Sequence, residues 1–274
     1  MKIGLTLPSF SEDPEVPLRV AAAAEAAGID GIFVYDHLFR LAKDGEMRPA
    51  LECTALLGAL AAETEHITLG TLVVRASLRP PATLAVALDT VMRIAGPRLV
   101  VGIGAGDEES RPEMETFGLP MGTELDRVKR LRAALRELSA RPYPAWVGGR
   151  ARHVGLIAAE SAAGWNRWGA DLEHFGAEAA EVQRLVERLN PDPPNFTMSW
   201  GGLAVLARDD DTAQEKAQRL GAGSSTIVGG PSTVATAVAR YRDAGAEWVI
   251  LGPIDSTDPD NAALIGDEIL ARVR

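Results

Sequence analysis

The architecture is decided by residues 2–34, which read KIGLTLPSFSEDPEVPLRVAAAAEAAGIDGIFV. Residues 2–7 form a mostly apolar run, typical of a buried strand. Residues 16–27 are rich in Ala with helical spacing, and Gly28 is a natural end for a helix. Residues 31–34 form a second short apolar run. Strand, helix and strand in this order predict a βαβ unit with parallel strands.

The same alternation continues to the end of the chain, and no linker or low-complexity segment divides it. The eight predicted strands are residues 2–7, 31–34, 67–73, 99–103, 145–147, 164–168, 197–206 and 248–251. Eight such units in 274 residues predict one α/β domain over residues 1–274, a closed (β/α)8 TIM barrel. The alternative, an open doubly wound sheet, would be unusually long with this many units.

The composition narrows the class of protein and of partner. It is 46% hydrophobic and 24% charged, with a net charge of −10, which argues against nucleic acid and anionic membranes as partners. No apolar run reaches the ~18 residues of a membrane span, and the chain starts directly on a strand without a signal peptide, so we expect a cytoplasmic protein. The only cysteine, Cys53, lies in a helical apolar pattern and is expected in the core. With four His it cannot form a Cys/His zinc cluster, and no metal is expected.

Barrel enzymes carry their active sites at the carboxyl ends of the strands, so polar residues that follow each strand are the candidates. The second strand is followed by Asp36 and His37. An imidazole there can take or give a proton near neutral pH. The structural alternative is an Asp that caps the loop and a His that only forms a hydrogen bond.

The fourth strand ends in a glycine-rich segment with Gly102, Gly104 and Gly106, followed by Asp107 and Glu108. Glycines after a strand allow the backbone to approach a ligand closely. The spacing is not the dinucleotide fingerprint, because the third Gly comes one residue early and an acidic loop follows. The two carboxylates are candidates for a general acid, or else solvated loop charges.

Two further strand ends are candidates for ligand contact. After the fifth strand, Gly148, Gly149 and Arg150 precede a helix, where backbone N–H groups, the helix dipole and a guanidinium favour an anion. The alternative is a tight turn with an exposed Arg. In the sixth strand, Trp165 and Trp168 would line a pocket for a planar ring or fill the core, and the sequence leaves both readings open.

Together these segments resemble the luciferase-like monooxygenase superfamily, especially its deazaflavin-dependent branch. Each motif is loose, but their shared order covers nearly the whole chain. The matching segments are 24–31, Asp36-His37, 64–71, 79–81, 102–106, 147–149, 164–166 and 241–246. The resemblance implies a (β/α)8 barrel that binds a reduced flavin (FMN) or the deazaflavin coenzyme F420 at the carboxyl ends of its strands.

The resemblance also implies roles for individual residues. His37 would be a base or a charge stabiliser near the hydride-transfer centre, and Asp107 a proton donor. Asp36 would belong to the same site, and Gly148 and Gly149 would lie at the coenzyme phosphate. The expected catalytic residues are thus His37 and Asp107. The expected coenzyme-binding residues are Asp36, Gly104, Gly106, Gly148, Gly149 and Arg150.

One departure from the family bears on the choice of function. Family members carry a long segment between the fourth helix and the fifth strand, whereas here only a short turn joins Leu138 to Ala145. The first hypothesis is F420-dependent hydride transfer to or from a small organic substrate. The alternatives are an FMN-dependent monooxygenase, which would prefer a closed, dry pocket, and a non-catalytic member that binds a coenzyme or ligand. Family members are often dimers, which makes a homodimer the assembly to test.

Overall fold

The computed structural model describes residues 1–41, 45–189 and 195–274. Its strands are β1 (Lys2–Thr6), β2 (Gly31–Val34), β3 (Phe39–Leu41), β4 (Met47–Pro49), β5 (Thr68–Arg75), β6 (Leu99–Gly104), β7 (Ala145–Gly148), β8 (Gly164–Trp168), β9 (Thr197–Leu206), β10 (Ile227–Gly229) and β11 (Trp248–Pro253). Its helices are α1 (Glu15–Ala26), α2 (Cys53–Glu63), α3 (Pro81–Ala95), α4 (Arg111–Thr116), α5 (Glu124–Leu138), α6 (Ala151–Ser161), α7 (Leu172–Leu189), α8 (Asp210–Leu220), α9 (Pro231–Asp243), α10 (Asp260–Leu264) and α11 (Leu270–Val273). One 3-10 turn, Glu108–Ser110, precedes α4, and a π-helical turn, Ile265–Ile269, joins α10 to α11.

The strands close into a barrel. In order around the ring, β1, β2, β5, β6, β7, β8, β9 and β11 pair in parallel, and the pairing of β11 with β1 completes the circle. These are the eight strands predicted from the sequence, with bounds that differ by no more than two residues. The (β/α)8 TIM barrel is therefore confirmed, and the open sheet is excluded.

The sequence analysis did not predict the short strands β3, β4 and β10. Strands β3 and β4 form an antiparallel hairpin in the loop after β2. Strand β10 pairs with the last three residues of β9, beyond the point where β8 ends. Runs of three residues are too short to show an alternating pattern, so they carry no signal that distinguishes them from loops.

Side chains fill the inside of the barrel. Phe33, Trp146 and Trp248 pack against one another there, with ring centroids 5.6 to 6.2 Å apart. Gly70 faces this cluster, where an added Cβ would come within 2.4 Å of the Phe33 ring. Cys53 lies fully buried in the larger core between the strands and the helices, as predicted. Because the interior is packed, a ligand can bind only at an end of the barrel.

The connection before β7 is short, as the sequence indicates. Helix α5 ends at Leu138 and β7 begins at Ala145, so residues 139–144 alone join them. Because this connection leads into the start of β7, it lies at the amino-terminal end of the barrel, away from the carboxyl ends of the strands. Within the described ranges, no helix is both long and apolar enough to cross a membrane.

Candidate active site

A cavity of about 660 Å³ opens at the carboxyl ends of β2, β5, β6, β7 and β8. All eight residues selected from the sequence lie in its wall: Asp36, His37, Gly104, Gly106, Asp107, Gly148, Gly149 and Arg150. A second hollow, of about 460 Å³, lies at the amino-terminal end beside Lys2 and Trp248. That end of a barrel contributes to stability rather than to catalysis, so the first cavity is the candidate site.

An irregularity in β5 forms the floor of this cavity. The pairing of β5 with β6 shifts register between Thr71 and Val74, and the Leu72–Val73 peptide bond is cis. The Val73 side chain lies where two glycines leave room, since an added Cβ at Gly104 or Gly148 would come within 2.7 Å of it. Gly104 and Gly148 were predicted to leave space for a ligand, but the Val73 side chain lies in that space. The two glycines and Val73 form an apolar floor.

Aromatic side chains form one wall. Tyr35 and Trp168 line the cavity with their rings in edge contact, 5.9 Å between centroids. The Tyr35 hydroxyl lies 3.0 Å from Thr6 Oγ1, and burial raises the pKa of Tyr35 to about 12 despite this hydrogen bond, so the phenol stays neutral. Trp165 is fully buried and stacks on Phe175 instead. Trp165 therefore fills the core, whereas Trp168 lines the cavity, and the planar-ring pocket stays a prediction.

Asp36 connects neighbouring elements at the rim of the cavity through buried hydrogen bonds. Its carboxylate is buried and accepts two hydrogen bonds from the Arg79 guanidinium, at 2.8 and 2.9 Å. It also accepts the backbone N–H of Arg75 at 2.9 Å. Arg79 in turn contacts Glu52, whose carboxylate caps α2. Asp36 thereby ties the end of β2 to the end of β5, and it fixes the backbone from which His37 extends.

His37 lies at the cavity beside a carboxylate that the sequence analysis did not select. Its Nδ1 is 3.1 Å from Oε2 of Glu113, and its side chain is 40% exposed. Glu113 belongs to α4 and is buried, with a side chain only 6% exposed. The same Oε2 accepts Nη1 of the buried Arg75 at 2.7 Å, and Oε1 accepts the backbone N–H of Leu38. We call Arg75, Glu113 and His37 the relay.

The charge state of Glu113 determines the tautomer of His37. Burial alone would raise the pKa of the Glu113 carboxyl, but hydrogen bonds from His37, Arg75 and the Leu38 N–H outweigh it and hold the pKa at about 2. An ionised carboxylate can only accept a hydrogen bond, so Nδ1 of His37 must carry the proton. In the neutral imidazole, Nε2 is then the basic nitrogen.

Asp107 has a different environment. Its carboxylate is exposed and caps the 3-10 turn, with Oδ1 accepting the backbone N–H of Ser110 at 3.1 Å and the Ser110 hydroxyl at 3.0 Å. Gly106 precedes it with a φ of 77°, which a glycine adopts without strain. These contacts organise the loop after β6. The role of Asp107 as proton donor stays a prediction that the geometry does not strengthen.

Several backbone groups at the start of α6 already have hydrogen-bond partners within the protein. The N–H and C=O of Gly149 are both bonded within the chain. The first N–H of the helix, that of Ala151, donates to Glu178 at 2.7 Å, and Glu178 also pairs with Arg167. A carboxylate therefore lies where this helix end would favour an anion. Arg150 is exposed beside it and remains available to a ligand.

The sequence analysis missed both Arg75 and Glu113. Arg75 could have been found, because it is the last residue of β5, and the rule that selected His37 applies to it as well. Arg75 also follows the predicted end of this strand, Val73, by only two residues, and it was not considered. Glu113 carries no such signal, since it is one of four Glu residues within 108–115 and only the fold brings it under His37.

The chain belongs to the luciferase-like monooxygenase family, whose model matches residues 1–225. Among curated proteins it is similar to an F420-dependent glucose-6-phosphate dehydrogenase of Beutenbergia cavernae, with 32% identity over 151 residues, 55% of this chain. The match spans 42% of that relative's length.

Solved structures share the whole fold. An F420-dependent secondary alcohol dehydrogenase in complex with an F420-acetone adduct superposes with a TM-score of 0.85 at 16% identity, covering 100% of this chain and 99% of the other. A monooxygenase from Streptomyces bottropensis superposes with a TM-score of 0.79 at 18% identity, covering both chains completely. At these identities the likeness establishes the fold.

Proposed function

We propose that this protein is an oxidoreductase that uses coenzyme F420 to transfer a hydride to or from a small organic substrate. The observation that carries the proposal is the relay at the mouth of the cavity. Hydride transfer to a carbonyl or from an alcohol requires a proton to move as well, and the relay leaves one basic nitrogen, Nε2 of His37, for that purpose.

The lining of the cavity supports the choice of coenzyme. Its floor of Leu72, Val73 and two glycines is apolar, as a planar ring system requires, and Tyr35 and Trp168 offer aromatic surface beside it. Arg150 lies in the loop after β7, where it would contact an anionic part of the coenzyme. When bound there, the deazaflavin supplies or accepts the hydride.

The protein's own part is to hold the reactants and to handle the proton. For the oxidation of an alcohol, Nε2 of His37 takes the proton of the hydroxyl as the hydride leaves the carbon. In the reverse direction the imidazolium returns it. Glu113 keeps its charge throughout, stabilises the imidazolium and holds the ring in one orientation. Tyr35, a neutral phenol, offers a hydrogen-bonding hydroxyl rather than a base.

Among the relatives, the F420-dependent dehydrogenase of Beutenbergia cavernae supports F420 over the FMN-dependent monooxygenase. The short connection over residues 139–144 does not bear on this choice, because it leads into the start of β7 at the amino-terminal end of the barrel, away from the cavity.

The test is a titration of the purified protein with F420 and, separately, with FMN, followed by fluorescence. We expect saturable binding of F420 and much weaker binding of FMN. Preference for FMN would replace the proposal by the monooxygenase. Binding of neither would leave the non-catalytic alternative and overturn the proposal.

A further inference from the structure

The cavity occupies only part of the mouth of the barrel. Its lining comes from the ends of β2, β5, β6, β7 and β8 and from the segments that follow them. Among the described residues that line it, none belongs to β1, β9 or β11, although these three strands are neighbours in the ring and end at the same face of the barrel. Two side chains from the neighbouring strands cover them instead.

Trp168 covers β9 and β11 from one side. It is the last residue of β8, and it lies opposite Gly201 in the pairing of β8 with β9. An added Cβ at Gly201 would come within 2.6 Å of the indole, and one at Gly252 of β11 within 2.9 Å. Both strands therefore carry a glycine where the indole lies, because a side chain at either position would displace it.

Tyr35 covers β1 from the other side. It follows β2 directly, and its hydroxyl donates to Oγ1 of the buried Thr6 in β1 at 3.0 Å. An added Cβ at Gly252 would come within 3.3 Å of the same hydroxyl. The rings of Tyr35 and Trp168 meet edge to face at 90°. The two residues, which we call the aromatic wall, thus meet at Gly252 and close the mouth over β9, β11 and β1.

The aromatic wall is supported by its surroundings. Trp168 packs on the core cluster inside the barrel, which includes Phe33 and Ile250. Tyr35 is held by its hydrogen bond to β1 and stacks on Phe10, with ring centroids 6.5 Å apart. Side chains packed in this way resist displacement, because repacking a close-packed interior costs free energy. A substrate beside His37 must therefore fit the space that the wall leaves.

The charged residues that adjoin the wall along the chain already have counter-charges. Asp36 is paired with Arg79 at 2.8 Å, and Arg167 is paired with Glu178 at 2.9 Å. The guanidinium of the relay is paired as well. A phosphate or carboxylate on the substrate would have to compete with these partners, whereas the aromatic and apolar lining suits an uncharged molecule.

We propose that Trp168, together with Tyr35, sets the upper limit on substrate size, so that the protein acts on compact, uncharged alcohols or carbonyl compounds. The inference rests on the proposed function, because it takes His37 and the coenzyme as the place where the substrate reacts. A bulky group on the reacting carbon would have to displace the indole. Truncation of Trp168 would instead extend the cavity to Gly201 and Gly252.

The first experiment measures binding without turnover. Acetone and acetophenone do not react with oxidised F420, so their affinities for the complex of protein and oxidised F420 can be measured by fluorescence titration. Trp168→Ala is expected to bind acetophenone at least roughly tenfold more tightly than the native protein, because the phenyl ring can occupy the space of the indole. The affinities for acetone and for F420 should stay at the native values, and retained F420 binding shows that the variant is folded.

The second experiment measures kcat/KM for F420 reduction by 2-propanol, 1-phenylethanol and glycerol 3-phosphate. The native protein should prefer 2-propanol to both of the others, and Trp168→Ala should shift the preference toward 1-phenylethanol alone. Trp168→Phe is the smaller change and should act in the same direction by less. Trp200→Phe is the matched control, because Trp200 of β9 stacks on Tyr241 outside the barrel, and it should keep the native preference.

The outcomes separate the two proposals. If the native protein does not bind F420, the proposed function fails. If it binds F420 but prefers 1-phenylethanol or glycerol 3-phosphate to 2-propanol, or oxidises none of the three, the substrate class is wrong and the choice of coenzyme stands. If the Trp168 variants bind F420 but keep the native affinity for acetophenone, the aromatic wall does not limit substrate size.

Discussion

The two sides of the cavity differ in how completely their charges are paired. On the β2 and β5 side, Asp36, Arg75 and Glu113 are buried and joined by short hydrogen bonds. On the β6 and β7 side, Asp107 and Arg150 are exposed, and the buried Arg127 has only contacts of 3.4 Å. The first side is held in one arrangement by short, buried contacts, whereas the second is held by longer and more exposed ones.

A proton carrier must keep one orientation and one charge state, which requires buried partners of fixed geometry. The β2 and β5 side provides such partners for His37. If this paired side supports the fold and the chemistry, substitutions there should have large effects, whereas substitutions in the loop after β6 should have small ones.

The largest effect is expected from Glu113→Gln. The change leaves the buried Arg75 without a counter-charge and leaves His37 without an ionised acceptor for Nδ1. Removing one partner of a buried ion pair costs about 3–5 kcal/mol, so the free energy of unfolding in urea should fall by an amount in this range. Turnover should be lost as well.

The matched control is Glu115→Gln, two residues further along α4. Its carboxylate is 65% exposed and lies 3.7 Å from Arg111. The free energy of unfolding should change by no more than about 0.5 kcal/mol. Equal effects of the two variants would mean that the relay does not stabilise the fold.

His37→Ala should lower turnover strongly and leave the fold intact. The side chain is partly exposed, so little packing is lost, whereas removal of a general acid or base lowers the rate by about 10²–10⁴-fold. The measurement is the rate of F420 oxidation or reduction with an accepted substrate, with thermal unfolding as the check on folding. His174→Ala, an exposed His paired to Asp171, is the control. Normal turnover in His37→Ala would remove the imidazole from the mechanism.

Acid should weaken the fold in a way that depends on Glu113. Its pKa in the folded protein, about 2, lies below its ordinary value of 4.5. The stabilisation from the ionised carboxylate is therefore complete above pH 4.5 and is lost as the pH falls toward 2. Between pH 5.5 and 3, the native protein should lose more unfolding free energy than Glu113→Gln. Parallel declines in the two proteins would contradict the depressed pKa.

The smallest effect is expected from Asp107→Asn. Asn caps a helical turn about as well as Asp, so the free energy of unfolding should stay within about 0.5 kcal/mol of the native value. Turnover should also remain near the native value, because the exposed carboxylate is not held against the cavity floor. A loss of roughly 100-fold, with the fold intact, would instead establish Asp107 as the proton donor.

The fold was predictable because its signals are local. Most barrel strands are largely apolar runs of four to ten residues, and Gly28 and Gly96 follow the ends of their helices with φ values of 72° and 66°. The carboxyl-end rule then placed eight candidate residues around one cavity. Strand β5 was predicted to end at Val73, two residues short of its end at Arg75, and Arg75 was not examined although it follows directly.

The electrostatics of the site could not be predicted in the same way. Nothing in the sequence marks Glu113 among the neighbouring carboxylates, because its depressed pKa arises from groups 38 and 76 positions away. Gly148 was selected for ligand access, but the space it leaves is filled by Val73. Residue type and spacing therefore locate a site, while the pairing of its charges becomes visible only in three dimensions.

The relay fixes His37 with a basic Nε2. The most direct measurement is the tautomer of His37, from the ¹⁵N chemical shifts of its ring nitrogens by NMR, with the signals assigned through His37→Ala. At a pH where the imidazole is neutral, we predict a protonated Nδ1 and a bare Nε2, and a loss of this preference in Glu113→Gln. A proton on Nε2 with Nδ1 bare in the native protein would contradict the relay and the proton-transfer role derived from it.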